Sequence, residues 1–159
     1  MKALIRLATF EDSQAILDLI QELALFEKEP ESAELSIEDI QNCGFGEKPM
    51  FQCFVAEWNH QVVGMALFYP RFSTWKGPTF HLEDLIVSEA YKGKGFGTQL
   101  YSTFIGYAYE KGAQRLDWNV LNWNLPAVKF YKNSGANVLS DWDTVQMDRE
   151  GMKAYLSKN

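Results

Sequence analysis

Lys92-Gly93-Lys94-Gly95-Phe96-Gly97 is the segment of this chain whose residue types and spacing point most directly to chemistry. Three glycines stand at alternate positions with two lysines among them. Glycine lets the backbone turn tightly and lets a ligand come close to the main chain. An apolar run over 82–87 leads in, and a run of helical period leads out. The first N–H groups of a helix have no intrahelical partner and carry the positive end of its dipole. Such amides, with lysines beside them, hold a phosphate or pyrophosphate. The chemistry implied is capture of a phosphorylated ligand.

Spacing narrows the choice of ligand. A P-loop needs Gly-Lys followed by Ser or Thr after a four-residue gap. Here Gly97 is followed by Thr98-Gln99. A dinucleotide turn sets its third glycine three residues after the second, in an initial strand–helix–strand unit. Gly95 and Gly97 are separated by one residue and lie mid-chain. Neither pattern fits.

The elements that must position this turn follow from periodicity and punctuation. Residues 4–8 read as a short strand. Thr9 and Asp12 make a capping-box pair. Behind them Ile16, Leu17, Leu19, Ile20, Leu23 and Ala24 recur at helical spacing as far as about Phe26. The acidic stretch 27–34, interrupted by Pro30, is a loop, and Ser36 with Asp39 opens a second helix. Residues 51–57 and 61–69 are strands joined at Asn59-His60. Residues 71–78 are a loop and 81–87 a third strand. Leu85-Ile86-Val87 lacks alternation, as in a strand buried on both faces. Gly112 ends a helix over 95–110, and 114–120 is a strand. Asn124 caps a helix ending near Gly135, with Pro126 in its first turn. Residues 138–148 are a last strand and 150–157 a terminal helix. The fold class expected is α/β with a mixed, α+β-like sheet in three layers. A mostly antiparallel meander precedes strand, helix, strand, helix, strand, in one domain over 1–159.

Bulk properties bound the partners. The chain has 159 residues, 47% hydrophobic and 14% aromatic, enough for a sizeable core. Its net charge of -6 disfavours nucleic acid and anionic membranes and suits a cationic substrate. No apolar run approaches the ~20 residues of a membrane span, and the first residues do not read as a signal peptide. Cys43 and Cys53 fit neither a zinc motif nor a disulfide framework. No metal is expected, and reduced thiols in the cytoplasm are.

Two separated motifs carry a family resemblance. Lys92-Gly93-Lys94-Gly95-Phe96-Gly97 resembles the acetyl-CoA pyrophosphate loop of the GNAT N-acetyltransferases. Lys92, Gly95 and Gly97 fill the patterned positions, with lysine where that family usually has Arg or Gln. Asn124-Leu125-Pro126-Ala127, followed by Phe130-Tyr131 and Gly135, is similar to the family's late segment. Order and separation agree, and the resemblance runs from Ile5-Arg6 to the last strand. Phe26-Glu27, Gly44-Phe45-Gly46-Glu47, Leu82-Glu83-Asp84 and Phe130-Tyr131-Lys132 resemble the polyamine (spermidine/spermine) and thialysine acetyltransferase branch.

The resemblance implies acetyl-CoA as cosubstrate and direct attack by an amine in a ternary complex. The amine arrives protonated, so transfer needs a proton acceptor, a held carbonyl and a donor for the departing thiolate. Glu83 is the implied base, acting through a water. Tyr131 is the implied acid, since a phenol with a pKa of about 10 keeps its proton at neutral pH. Leu85, Ile86 and Val87 offer backbone groups to the pantetheine arm, as an added strand would receive them. Lys92, Gly93, Lys94, Gly95, Phe96, Gly97 and Thr98 surround the pyrophosphate. Asn124, Ala127 and Tyr131 complete the cofactor side, with Asn124 first of all a helix cap. Phe26, Glu27, Glu83 and Asp141 face the substrate, a polyamine, diamine or lysine-like amine. By strand alternation His81 shares Glu83's face, opposite Leu82 and Asp84; it could tune Glu83, but reads first as a structural histidine. Another amine, such as an aminoglycoside or protein N-terminus, is the alternative substrate. A non-catalytic acetyl-CoA sensor is the alternative class. The family also implies a homodimer, with no nucleic-acid or membrane partner.

Overall fold

A computed structural model describes residues 1–158. The chain groups into two compact units, Met1–Asn119 and Val120–Asn159. In the first, β1 (Leu4–Leu7), β2 (Gln52–Trp58), β3 (Gln61–Ser73), β4 (Gly77–Val87) and β5 (Leu116–Asp117) form one sheet in chain order. The first three junctions are antiparallel and the β4–β5 junction is parallel.

Local chemistry sets the turns. Asn59 and His60 have φ of 50° and 61°, left-handed at both central positions. Such a pair matches the twist of a two-residue hairpin, and Trp58 faces Gln61 across it. The loop expected over 71–78 is mostly strand. Arg71, Phe72 and Ser73 pair with Thr79, Pro78 and Gly77. Pro70 and Pro78 would break a central strand, but here the β3–β4 ribbon has outrun both neighbours. β2 last pairs at Phe68, and β5 pairs only with Phe80 and His81. An outward N–H is not needed there, so proline is tolerated.

The two faces of the sheet are covered by different helices. α1 (Ser13–Phe26) and α2 (Ile37–Phe45) pack Ile16, Leu17, Leu19 and Ile40 against Cys53, Val55, Met65, Leu67 and Ile86. Both expected capping boxes form, Thr9 with Asp12 and Ser36 with Asp39. Arg6 grips Asp12 through two hydrogen bonds of 2.7 and 2.9 Å. That contact, with the Thr9 amide, holds the Asp12 carboxyl below its usual range despite burial. α3 (Phe96–Glu110) covers the other face. There Phe68 lies 5.4 Å from Phe54 and 5.0 Å from Phe104, ring to ring, with Tyr107 edge-on to Phe54. Aromatic rings of this size dominate core energetics. The unit is therefore a helix–sheet–helix stack, the three layers expected.

In the second unit, α4 (Leu125–Asn133) and α5 (Arg149–Leu156) are the regular elements. Asn124 accepts from the Ala127 amide at 3.4 Å and Pro126 occupies the first turn. Gly135, with φ 94°, closes α4 as the Ala136 amide reaches the Tyr131 carbonyl at 3.1 Å. The strand expected over 138–148 does not form; these residues carry neither helix nor strand. A strand needs a partner ladder, and among the described residues this unit holds no strand to supply one. The strand expected over 114–120 shortens to Leu116–Asp117. No described helix is long and apolar enough to cross a membrane.

Candidate active site

The carboxylates on β4 are placed by an irregularity that alternation does not forecast. Leu67 pairs with Asp84 and Phe68 with Leu82, so Glu83 is an extra residue with nothing opposite it. A bulge of this kind turns consecutive side chains to one side. Asp84 therefore shares the face of Leu67 and Tyr69 with Glu83 and His81, rather than the face of Leu82. Tyr69 donates to Glu83 Oε2 at 2.7 Å. Burial, then this hydrogen bond to Glu83, pushes the Tyr69 phenol up to about 12. It stays a donor and fixes that carboxylate oxygen.

The same face carries a second polar group. His81, 8% exposed, lies with Nδ1 2.6 Å from Asp117 Oδ1 and Nε2 3.5 Å from Glu83 Oε2. Arg71 Nη1 donates to the same Asp117 oxygen at 2.6 Å. Arg71, His81, Asp117 and Tyr69 were not singled out in sequence as functional together. Arg71 and Asp117 alone lie 46 residues apart, which leaves no local signal.

α1 ends over this face. Burial chiefly, then the charges of Glu83 and Glu27, raise the half-buried Asp84 carboxyl from 3.8 to about 7. Burial also raises Glu27. Asp84 thus feels two other carboxylates near the C-terminal end of α1, a place that favours a cation. The sign for stability follows. Folding raises the Asp84 value, so its proton is bound more tightly in the folded chain. Stability should fall as pH rises from about 4 to about 7 and then level, by a total on the order of a few kcal/mol. Asp84→Asn should melt higher than the parent at pH 8 and nearly together with it at pH 4. A thermal scan at the two pH values checks this; a gap that is equal at both would contradict it.

The turn after β4 has the expected cradle form. Gly93 and Gly95 adopt φ of 74° and 82°, left-handed conformations that disfavour other residues. Gly95 is the N-cap of α3, so the amides of Phe96, Gly97 and Thr98 lack intrahelical partners. Phe96 is buried against Trp58, their rings 5.5 Å apart. Gly97 sits against Val87: a Cβ added there would lie 3.6 Å from Val87 Cγ2. Lys92 pairs with Glu89 and lies 4.7 Å from the centre of the Phe26 ring, while Lys94 covers Tyr91. Phe26, expected on the substrate side, thus touches the cradle as well.

Between carboxylates and cradle, β4 has no paired strand on its β5 side among the described residues. The parallel pairing ends at His81, so Leu85, Ile86 and Val87 have a strand partner on β3 alone. Asn124, Ala127, Tyr131 and Asp141 lie in the second unit. Asn124 caps α4, Ala127 is in its first turn, and Tyr131 is buried on it with its ring 5.5 Å from Phe130. Asp141 is exposed in the irregular segment after α4. Among the described residues no cluster of His, Cys, Asp or Glu could hold a metal.

Comparisons with known proteins identify the family. The model of the acetyltransferase (GNAT) family matches residues 14–136. Thialysine N-epsilon-acetyltransferase from Bos taurus is 36% identical over 98% of each chain. Spermidine/spermine N(1)-acetyltransferase-like protein 1 from Homo sapiens is 33% identical over 92% of this chain and 22% of its own length. An integron cassette protein from the mobile metagenome of V. cholerae superposes with a TM-score of 0.80 and 26% identity, covering 100% of this chain and 99% of that one. With the matched model reaching from α1 through the end of α4, the chain belongs to the GNAT family and is an N-acetyltransferase.

Proposed function

We propose that the chain transfers acetyl from acetyl-CoA to a primary amine of a small cationic substrate, a polyamine, diamine or lysine-like amine, by direct attack in a ternary complex. The observation that carries the reading is the layout of β4. One strand presents the carboxylates Glu83 and Asp84, then an open backbone edge at Leu85–Val87, then the glycine cradle. The names of the bovine and human relatives point to the same amine class. The two compact units together make one catalytic domain, which the family match spanning both supports. A cytoplasmic homodimer belongs to the same reading, and the free thiols of Cys43 and Cys53 suit that compartment.

The residues divide the work. The amides of Phe96, Gly97 and Thr98, with Lys92 and Lys94, receive the pyrophosphate. Fitting this, the left-handed Gly93 and Gly95 leave the main chain open: a Cβ at Gly93 would meet nothing within 4 Å. The edge of Leu85–Val87 receives the pantetheine arm, and an N–H there polarises the thioester carbonyl. By the family resemblance, Asn124 and Ala127 are assigned to the cofactor. Glu83 takes the amine proton through a water, and the negative field of Asp84 and Glu27 draws the ammonium in. Tyr131 gives its proton to the departing thiolate. Bound acetyl-CoA supplies the thioester that the amine attacks.

The test is a thiol-release assay with acetyl-CoA and an amine panel of spermidine, putrescine, lysine, ornithine, thialysine and an aminoglycoside. Release with the small aliphatic amines, at the highest kcat/KM, is expected. A clear preference for the aminoglycoside would move the substrate assignment. Tight acetyl-CoA binding with no thiol release from any amine would favour a sensor.

A further inference from the structure

The face of β4 that carries Glu83 also holds a buried imidazole for which the mechanism above has no use. Its surroundings are specific. From β3, Tyr69 and Arg71 face it; from β4, Glu83; from β5, Asp117. Asp117 can only accept, and its Oδ1 lies 2.6 Å from Nδ1. Arg71 can only donate, and its Nη1 already gives to that Oδ1 at 2.6 Å. The ring proton of neutral His81 therefore sits on Nδ1, shared with Asp117, while Arg71 clamps the carboxylate. The lone pair is left on Nε2, 3.5 Å from Glu83 Oε2. The side chain is 10% exposed, so this orientation is held by its neighbours rather than by solvent.

A carboxylate alone is a poor match for a protonated amine. Ordinary carboxylates titrate near about 4 and alkylamines near about 10, whereas imidazole lies near about 6.5, close to the operating pH. We propose that His81, held by Asp117 and Arg71, is the proton relay behind Glu83. The N–H bond of the attacking amine breaks and its proton passes through the intervening water to the Glu83 carboxylate. It moves on to His81 Nε2, regenerating the carboxylate and leaving an imidazolium between Glu83 and Asp117. Once the amine has reacted, the imidazolium returns the proton to Glu83, whose exposed side gives it up to water. His81 touches no substrate in this scheme; it acts through Glu83. The inference rests on the assignment of Glu83 as base.

The experiment is a double-mutant cycle with steady-state kinetics for the amine that turns over best. His81→Gln keeps a donor for Asp117 but cannot take up a proton. It should lower kcat by about tenfold or more, with the KM for acetyl-CoA unchanged. In a Glu83→Gln background the same substitution should cost little further, because its route has been removed. Asp117→Asn, which leaves the imidazole but weakens its hold, should reduce kcat in the same direction. It serves if His81→Gln does not fold. Wild-type kcat in His81→Gln, or an equal loss with and without Glu83, overturns the relay while leaving Glu83 in place. A Glu83→Gln enzyme of undiminished turnover overturns the base assignment itself.

Discussion

Tyr131→Phe is expected to cut turnover by about 100- to 10,000-fold, the range for loss of a positioned general acid, while acetyl-CoA still binds. The substitution removes one oxygen and keeps the ring. Tyr131 is buried, and its ring packs edge-on to Phe130 at 5.5 Å, a contact that phenylalanine preserves. The α4 closure is also untouched, since it uses the Tyr131 carbonyl, which accepts from Ser134 Oγ at 2.7 Å and from the Ala136 amide. The leaving group would depart as an unprotonated thiolate, and kcat should carry the loss while acetyl-CoA affinity does not. Stopped assays for kcat and equilibrium binding of acetyl-CoA separate the two. Turnover at the parental level would remove Tyr131 from the mechanism.

Gly64→Ala should produce a large loss of stability. Gly64 pairs with Val87 across β3–β4. A Cβ at this position would lie 2.7 Å from the Ile86 carbonyl oxygen and 3.2 Å from Val87 Cα. Those are backbone atoms in a buried strand, so the clash cannot be relieved by rotating a side chain. Overpacking of this sort costs about 1–3 kcal/mol and at times more. The displaced atoms belong to the segment assigned to the pantetheine arm, so acetyl-CoA should also bind less tightly. Urea unfolding would register a lower midpoint at an unchanged slope. An unaltered midpoint would mean that β4 yields freely there. It would also weaken the view of Ile86–Val87 as a fixed platform.

Much of the frame was legible because its signals are local. The cradle, both capping boxes, the Asn59-His60 hairpin and the Asn124 cap each need only a few neighbouring residues, and each takes the form its composition implies. The carboxylate face was not legible. Strict alternation sets Asp84 with Leu82, and only the register against β3 reveals that Glu83 is bulged. The Arg71–Asp117–His81 group joins β3, β4 and β5 through pairings no local pattern encodes. Residues 138–148 misled for the converse reason. Their β-favouring composition is real, but propensity describes fit to a pleated surface, and no strand of their own unit provides one.

The early end of the β4–β5 pairing has one more implication. An unpaired strand edge is a hazard, because any extended chain can add to it. Nature usually blunts such edges with charge or proline, yet Leu85-Ile86-Val87 is wholly apolar. A molecule that lay along this edge would be tied to the folded form alone, and it would add RT ln(1 + [L]/Kd) to stability, about 2.7 kcal/mol at 100 times Kd. On that footing the cosubstrate doubles as a folding ligand. The abundance of intact enzyme would then rise and fall with the cell's supply of acetyl-CoA.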